Sequence, residues 1–164
     1  MEKYESGIKM IPFPLEVVYA KQSDLNNLGV VKERVSSPEF QAAIQGASDG
    51  NISQEQINKA SEYLQTLTYD QDTVSVNVPP VGQVTLKIVD RELNKTIKFE
   101  TVNSPLPFNL WIQLLPVSTG GCKMKLTIKA ELNFFIRKMV EGKLKEGLDK
   151  IADMLAMIPY GYQL

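Results

Sequence analysis

At Thr73 the hydrophobic repeat of this chain changes from helical spacing to alternation, and the alternation persists until one long helical repeat begins at Phe134. Val74, Val76 and Val78 alternate with polar residues, and Val84, Leu86 and Ile88 do so again after the turn Pro79-Pro80-Val81-Gly82. Beyond Asn94-Lys95, Ile97, Phe99 and Thr101 face one way and Lys98 and Glu100 the other. Met124, Leu126, Ile128, Ala130 and Leu132 are interleaved with Lys123, Lys125, Thr127, Lys129 and Glu131. Period two is the mark of half-buried antiparallel strands, so the segment predicts a meander of four or five strands. From Phe134 to Ile158, Ile136, Val140, Leu144, Leu148, Ile151, Leu155 and Ile158 step by three or four residues. A helix of ~25 residues rises ~37 Å, enough to cross a whole sheet.

Ahead of the switch, Tyr4 to Ile11 predicts a first strand, ended by Pro12-Phe13-Pro14, with helices over Leu15 to Gln22 and Leu25 to Val35. Pro14 suits a first helical turn and Ser23-Asp24 supplies a break and a cap. Residues 36–66 turn rich in Ser, Gln, Asn and Ala and carry two further helix starts, Ser37-Pro38 and Ser53 with Gln56. Phe40, Ala43, Ile44 and Ala47 line one helix and Ile57, Ala60 and Leu64 the other, faces too narrow to stand alone. At 164 residues the chain suffices for one core. The expected organisation is a single domain over 1–164 with a helical insertion at about 36–66.

Composition narrows the chemistry. There is no histidine, which removes Ser-His-Asp and Cys-His mechanisms, zinc-histidine sites and imidazole acid–base work. Eighteen Lys and Arg against nineteen Asp and Glu leave a net charge of −1, which disfavours nucleic acid as a partner. No apolar run approaches the roughly 18 residues of a membrane span, and the start lacks the apolar stretch of a signal peptide. The lone Cys122 forms no intrachain disulfide, so a cytoplasmic location is expected. Cys122 reads as an incidental small side chain at a strand start, although Lys123 beside it favours a thiolate modestly.

The order strand, two short helices, meander and long C-terminal helix is that of the helix-grip fold, an α+β architecture in which a curved antiparallel sheet wraps the last helix. Ser75-Val76-Asn77-Val78-Pro79-Pro80-Val81-Gly82-Gln83-Val84-Thr85-Leu86-Lys87-Ile88-Val89, the segment Ser104 to Pro116 around Asn109-Leu110-Trp111-Ile112-Gln113, and the ending Ile151 to Tyr160 resemble a bacterial group of the SRPBCC superfamily. These are relatives of START lipid-transfer domains and the birch-pollen allergen, and the likeness spans residues 2–35 and 67–160. It implies the helix-grip fold and a cavity for a lipid, sterol, quinone or polyketide-like molecule. The superfamily also includes cyclases, ring-hydroxylase domains and chaperone activators, and it has no shared catalytic motif. The insertion departs from its simplest pattern.

Which side chains face such a cavity depends on strand Asn109 to Leu115, because both of its faces are buriable. An even turn at Thr119-Gly120 pairs Leu115 with Met124 and points Asn109, Trp111 and Gln113 inward. An odd loop with a bulge turns Leu110, Ile112 and Leu114 inward instead. On the first arrangement the lining set is Phe99, Asn109, Trp111, Gln113, Leu126, Ile128, Val140, Leu144, Gly147 and Leu148. Such a wall, apolar with a few amides and an indole donor, suits binding better than proton transfer. Gly142 and Gly147 reflect either close packing on the sheet or room for a ligand. Tyr160 and Tyr162 seal one cavity end or form a frayed tail.

Other signals are weak. Asp49-Gly50-Asn51 resembles the middle of a calcium loop, but its ligand register fails at Gln45, Ala47 and Gln56. Asp70 with Asp72, and Asp90 with Glu92, fall at turns where carboxylates cap the backbone. Lys123, Lys125 and Lys129 form a basic outer face, ordinarily solvated, with an acidic partner as the alternative. The expected function is therefore binding of a small, largely apolar molecule, with no cofactor, metal or catalytic residue assigned. Two alternatives stand beside it: a protein-interaction module docking through 36–66, and a cyclase-like enzyme using carboxylate, tyrosine or lysine.

Overall fold

The computed structural model describes residues 2–35, 37–47, 53–78, 82–104, 106–158 and 160. The turn Pro79–Val81, the Asp49–Asn51 stretch and Tyr162 lie outside them, as do the side chains of Ala43, Ile44, Ala47, Gln56 and Ala60. In chain order the elements are β1 (Glu2–Glu5), β2 (Lys9–Ile11), α1 (Leu15–Gln22), α2 (Asn27–Arg34), α3 (Pro38–Ala47) and α4 (Gln54–Gln65). There follow β3 (Thr68–Tyr69), β4 (Thr73–Val78), β5 (Gly82–Glu92), β6 (Thr96–Thr101), β7 (Phe108–Pro116), β8 (Cys122–Ala130) and α5 (Phe134–Ala156). The sheet is antiparallel with eight strands in the order β1-β8-β7-β6-β5-β4-β3, and β2 also pairs β8. It curves around α5, which is the helix-grip architecture expected from the sequence.

The first strand is broken where one strand was expected. Glu5 pairs with Thr127 but Lys9 pairs with Met124, so one extra residue is accommodated at Ser6-Gly7-Ile8. Ser6 holds that bulge: its N–H donates to the Leu126 carbonyl, and its Oγ accepts from the Leu126 N–H, each at 2.9 Å. The shift also carries Lys9 to the inner side of the sheet, opposite Met124.

One buried cluster joins Val18, Tyr19, Ile88, Ile97, Phe99, Leu126 and Leu148 with their neighbours between the sheet, α1 and α5. A second joins Val31 and Val35 of α2 to Phe40, Ile57 and Leu64 of the insertion, with Met157 and Ile158 packed against it. Ile158 touches both clusters. The expected N-cap at Ser37-Pro38 forms, with the Ser37 hydroxyl accepting from the Phe40 N–H at 3.2 Å. Asn133 caps α5 by accepting from the Ile136 N–H at 2.9 Å. Between α1 and α2 the Asp24 carboxylate accepts from the Asn26 N–H, so the second helix starts two residues later than the spacing predicts.

Candidate functional site

The strand of uncertain facing is resolved by its register. Leu110 pairs with Ile128, Ile112 with Leu126 and Leu114 with Met124, and all six side chains are buried. The connection Val117–Gly121 is an odd loop, with Gly120 at φ +94°, so Pro116 meets Cys122. The expectation that Asn109, Trp111 and Gln113 face inward is thus corrected: they lie on the outer face of the sheet. There Thr127 Oγ1 donates to Gln113 Oε1 at 3.1 Å, and Asn109 Nδ2 reaches the Phe99 carbonyl at 3.4 Å.

The other expected lining residues lie on β6, β8 and α5. Phe99, Leu126, Ile128, Val140 and Leu148 are buried, and Leu144 and Gly147 half-buried. Among them, Phe99, Leu126, Ile128 and Leu148 belong to the contiguous core beneath α5, with Leu144 against it.

The seating of α5 decides what space remains. It packs over β8, β1 and β2, at one side of the sheet. Asp149 accepts from the Gly7 N–H at 2.9 Å and from Lys9 Nζ at 3.2 Å, and Lys9 meets Asp153 at 2.8 Å. Hydrogen bonds from Gly7 and Lys9 hold the Asp149 carboxyl below its ordinary range, and Asp153 foremost holds the Lys9 ammonium above its own. These contacts turn the Asp149 flank of α5 toward β1 and β2. Successive helical residues are about 100° apart, so Gly147 lies about 100° from Leu148 in the opposite sense, toward β7. Ile151 lies on the same flank.

That flank borders open space. A β-carbon added at Gly147 would meet no atom within 4 Å, Ile151 is 46% exposed, and Met154 is half-buried. Gly142 is exposed with nothing near it, so neither glycine packs closely on the sheet. On the sheet, Val74 and Leu86 are half-buried at the margin of the core. The open space therefore lies along this flank of α5, while Leu110, Ile112 and Leu114 on the inner side of β7 are buried and α1 packs over that strand.

Two buried polar groups that sequence reasoning missed border this interior. Tyr4, opposite Ile128, has a buried hydroxyl with no hydrogen-bond partner, and Gln22 has an equally unpartnered Oε1. Burial raises the Tyr4 phenol above its ordinary value, with Glu141 of α5 adding to the effect. Inward placement of Tyr4 was available in the β1 alternation; the missing partner was not. Gln22 Nε2 donates at 2.8 Å to the Tyr160 hydroxyl, which itself donates to the Leu155 carbonyl at 2.7 Å. Phe13 meets the Tyr160 ring edge-on at 6.2 Å. Tyr160 thus closes the end of the core under the last turn of α5, and burial pushes its phenol far up.

Cys122, Asp70 and Asp72 have structural roles. Cys122 is fully buried and burial raises its thiol, while Lys123 points to the other side of the sheet, so no thiolate is favoured. Asp70 accepts from the N–H groups of Asp72 and Thr73, and Asp72 pairs with Arg91 at 2.6 Å. No group of three metal-ligating His, Cys, Asp or Glu side chains occurs among the described residues. No helix there is long and apolar enough to cross a membrane. Two open hollows elsewhere, about 280 Å³ beside Glu2 and Glu131 and about 410 Å³ beside Lys87 and Val102, include none of the expected lining residues.

No family model and no curated protein matches the sequence. Solved structures do match in backbone. Norcoclaurine synthase from Thalictrum flavum, solved with dopamine and hydroxybenzaldehyde, superposes with a TM-score of 0.64 at 10% identity, covering 99% of this chain and 88% of that one. A protein from Thermus thermophilus gives 0.57 at 15% identity, covering 99% and 100%. The Aha1 dimer from Colwellia psychrerythraea gives 0.55 at 12% identity, again covering 99% and 100%. At these identities the likeness establishes the fold, and by that measure the chain is a helix-grip protein.

Proposed function

We propose that this protein binds a small, largely apolar molecule, of lipid, sterol, quinone or polyketide type, in the groove between the sheet and the Gly147–Ile151 flank of α5. The observation that carries the reading is the open space at Gly147 beside the half-exposed Ile151, at the border of an apolar core. Apolar walls with few polar groups suit such a ligand, and the unpartnered Tyr4 hydroxyl beneath α5 is a donor for one polar atom of it. The same fold in norcoclaurine synthase accommodates dopamine and hydroxybenzaldehyde. No catalytic residue is assigned: Lys9, the charged side chain turned inward from β2, is held by Asp149 and Asp153. Docking through 36–66 is the weaker reading, because Phe40, Ile57 and Leu64 are spent on internal packing.

Native mass spectrometry of protein from its own host, with thermal-shift screening against lipids and quinones, tests the proposal. A co-purifying mass, or a stabilising ligand whose effect disappears in Gly147→Phe, is expected. The reading fails if neither a mass nor a shift is found, or if Gly147→Phe binds as well as the parent.

A further inference from the structure

The helices lie on the inner side of the sheet, which leaves its outer, convex face uncovered among the described residues. Over β1, β2 and β6 to β8 the register collects Lys3, Lys98, Lys123, Lys125 and Lys129 on that face, against Glu5 and Glu100. Glu5 is already paired with Lys3 and Lys125, each at 3.0 Å. Lys98, Lys123 and Lys129 have no carboxylate within ion-pair distance among the described residues. Farther out, β5 adds Lys87, Asp90 and Glu92 to the same face, and Glu92 lies 3.7 Å from Lys95. A chain of net charge −1 thus presents, on one surface, more lysines than carboxylates, with Lys98, Lys123 and Lys129 outside any ion pair among the described residues.

The centre of the patch is Trp111. Lys98 is directly opposite it on β6 and Lys129 diagonal on β8, and their ammonium groups stand 5.4 and 5.6 Å from the indole centroid. Lys98 also has Asp90 directly opposite on its other side, yet it engages the ring. Two cations on one indole repel each other, and a carboxylate arriving between them relieves that repulsion. Farther along the face Leu115 and Met10 both pair with Lys123, and they are 53% and 59% exposed. An indole and two aliphatic anchors among lysines are the composition of a protein-binding surface, where a few large side chains carry affinity and charge selects the partner.

We infer that this convex face, centred on Trp111 between Lys98 and Lys129, docks an acidic protein segment that presents carboxylates beside aliphatic side chains. Nucleic acid fits less well, since the one indole is already engaged by two ammonium groups and the other anchors cannot stack on bases. An anionic bilayer fits less well because Leu115 and Met10 sit to one side of a curved face and form no continuous apolar surface. The site is on the opposite side of the sheet from the groove, so the two assignments stand or fall separately.

Trp111 is the sole tryptophan, so its emission reports on this surface alone. The probe is a short synthetic peptide of glutamates with interspersed leucines, titrated into the full chain beside a thymidine oligonucleotide and phosphatidylglycerol vesicles. A saturable emission change with the peptide is expected, lost at about 0.5 M salt, which shortens screening to a few ångströms. Lys98→Glu with Lys129→Glu should weaken it at least tenfold, the neutral pair Lys98→Gln with Lys129→Gln less. Lys143→Glu with Lys145→Glu on α5 should leave it unchanged. The inference is overturned by the absence of a saturable change with the peptide, by tighter binding of the oligonucleotide or the vesicles, or by equal weakening in the α5 pair. Far-ultraviolet circular dichroism establishes that each variant is folded, and should the glutamate pair unfold, the glutamine pair decides.

Discussion

Gly147 and Gly121 carry opposite instructions although both are glycines beside the core. At Gly121 an added β-carbon would stand 2.6 Å from the Ile11 carbonyl oxygen, so the absence of a side chain is what lets β2 reach the start of β8. Gly121→Ala should destabilise by about 1–3 kcal/mol, read as a lower urea midpoint at constant slope. At Gly147 nothing obstructs, and the helix loses only the entropy cost of glycine, so Gly147→Ala should stabilise by about 1 kcal/mol in the same measurement. If Gly147→Ala instead destabilises, the space beside α5 is not free. Asp149 adds a pH-dependent test. Its folded pKa lies below the ordinary 3.8, so the stability it contributes is present above that value and lost as pH falls through the lower folded value. Asp149→Asn should therefore be less stable than the parent at pH 7, with the gap closing as pH falls below 3.8 and through the lower folded value. Equal gaps at both pH values would show that the Gly7 and Lys9 contacts depend on shape rather than charge. The partly exposed carboxylate keeps the effect small.

Elements that advertise themselves by period were legible in the residues; those fixed by hydrogen-bond register were not. The alternation in Ile97, Phe99, Leu126 and Ile128 and the three-four stepping of α5 locate the meander and its closing helix, because burial on one side imposes the pattern. The strand β7 defied it. Leu110, Ile112 and Leu114 alternate with Trp111 and Gln113, and an indole or amide serves on either face, so only the parity of the Val117–Gly121 loop chooses. The same holds for the break at Ser6-Gly7-Ile8, where a serine hydroxyl substitutes for a strand acceptor, and for β3, whose two residues are too few to show a period. In the insertion, Phe40 is fully buried and unites α3 with α2 and α4. Phe40→Ala should cost about 3–5 kcal/mol locally. Because the two clusters meet at Ile158, hydrogen exchange should show the loss first in α2 and α4 while β7 and β8 stay protected. A uniform loss of protection would mean instead that the insertion and the sheet open as one unit.

At the scale of the whole molecule, α5 is fastened along one side and free along the other, and that asymmetry shapes the interior. Lys9, turned inward by the bulge, pins Asp149 and Asp153 at the β2 side, whereas Ile151 on the free flank stays 46% exposed. An exposed aliphatic side chain gains little by folding alone, so replacing it should change stability by only about 0.5 kcal/mol. Its burial by a ligand would be another matter: covering an isoleucine side chain is worth up to about 1.5–3 kcal/mol. Ile151→Glu should thus keep the parental melting temperature in the absence of ligand and lose most of the ligand-induced rise that defines binding in the groove. A ligand at saturation, about 100 times its dissociation constant, stabilises the parent by about 2.7 kcal/mol, and the variant should show a fraction of this at equal ligand concentration. If Ile151→Glu retains the full rise while Gly147→Phe abolishes it, the ligand lies deeper, under Leu144 and toward the Tyr4 hydroxyl, and does not span the flank. If both variants retain it, the space beside α5 is not where the ligand binds.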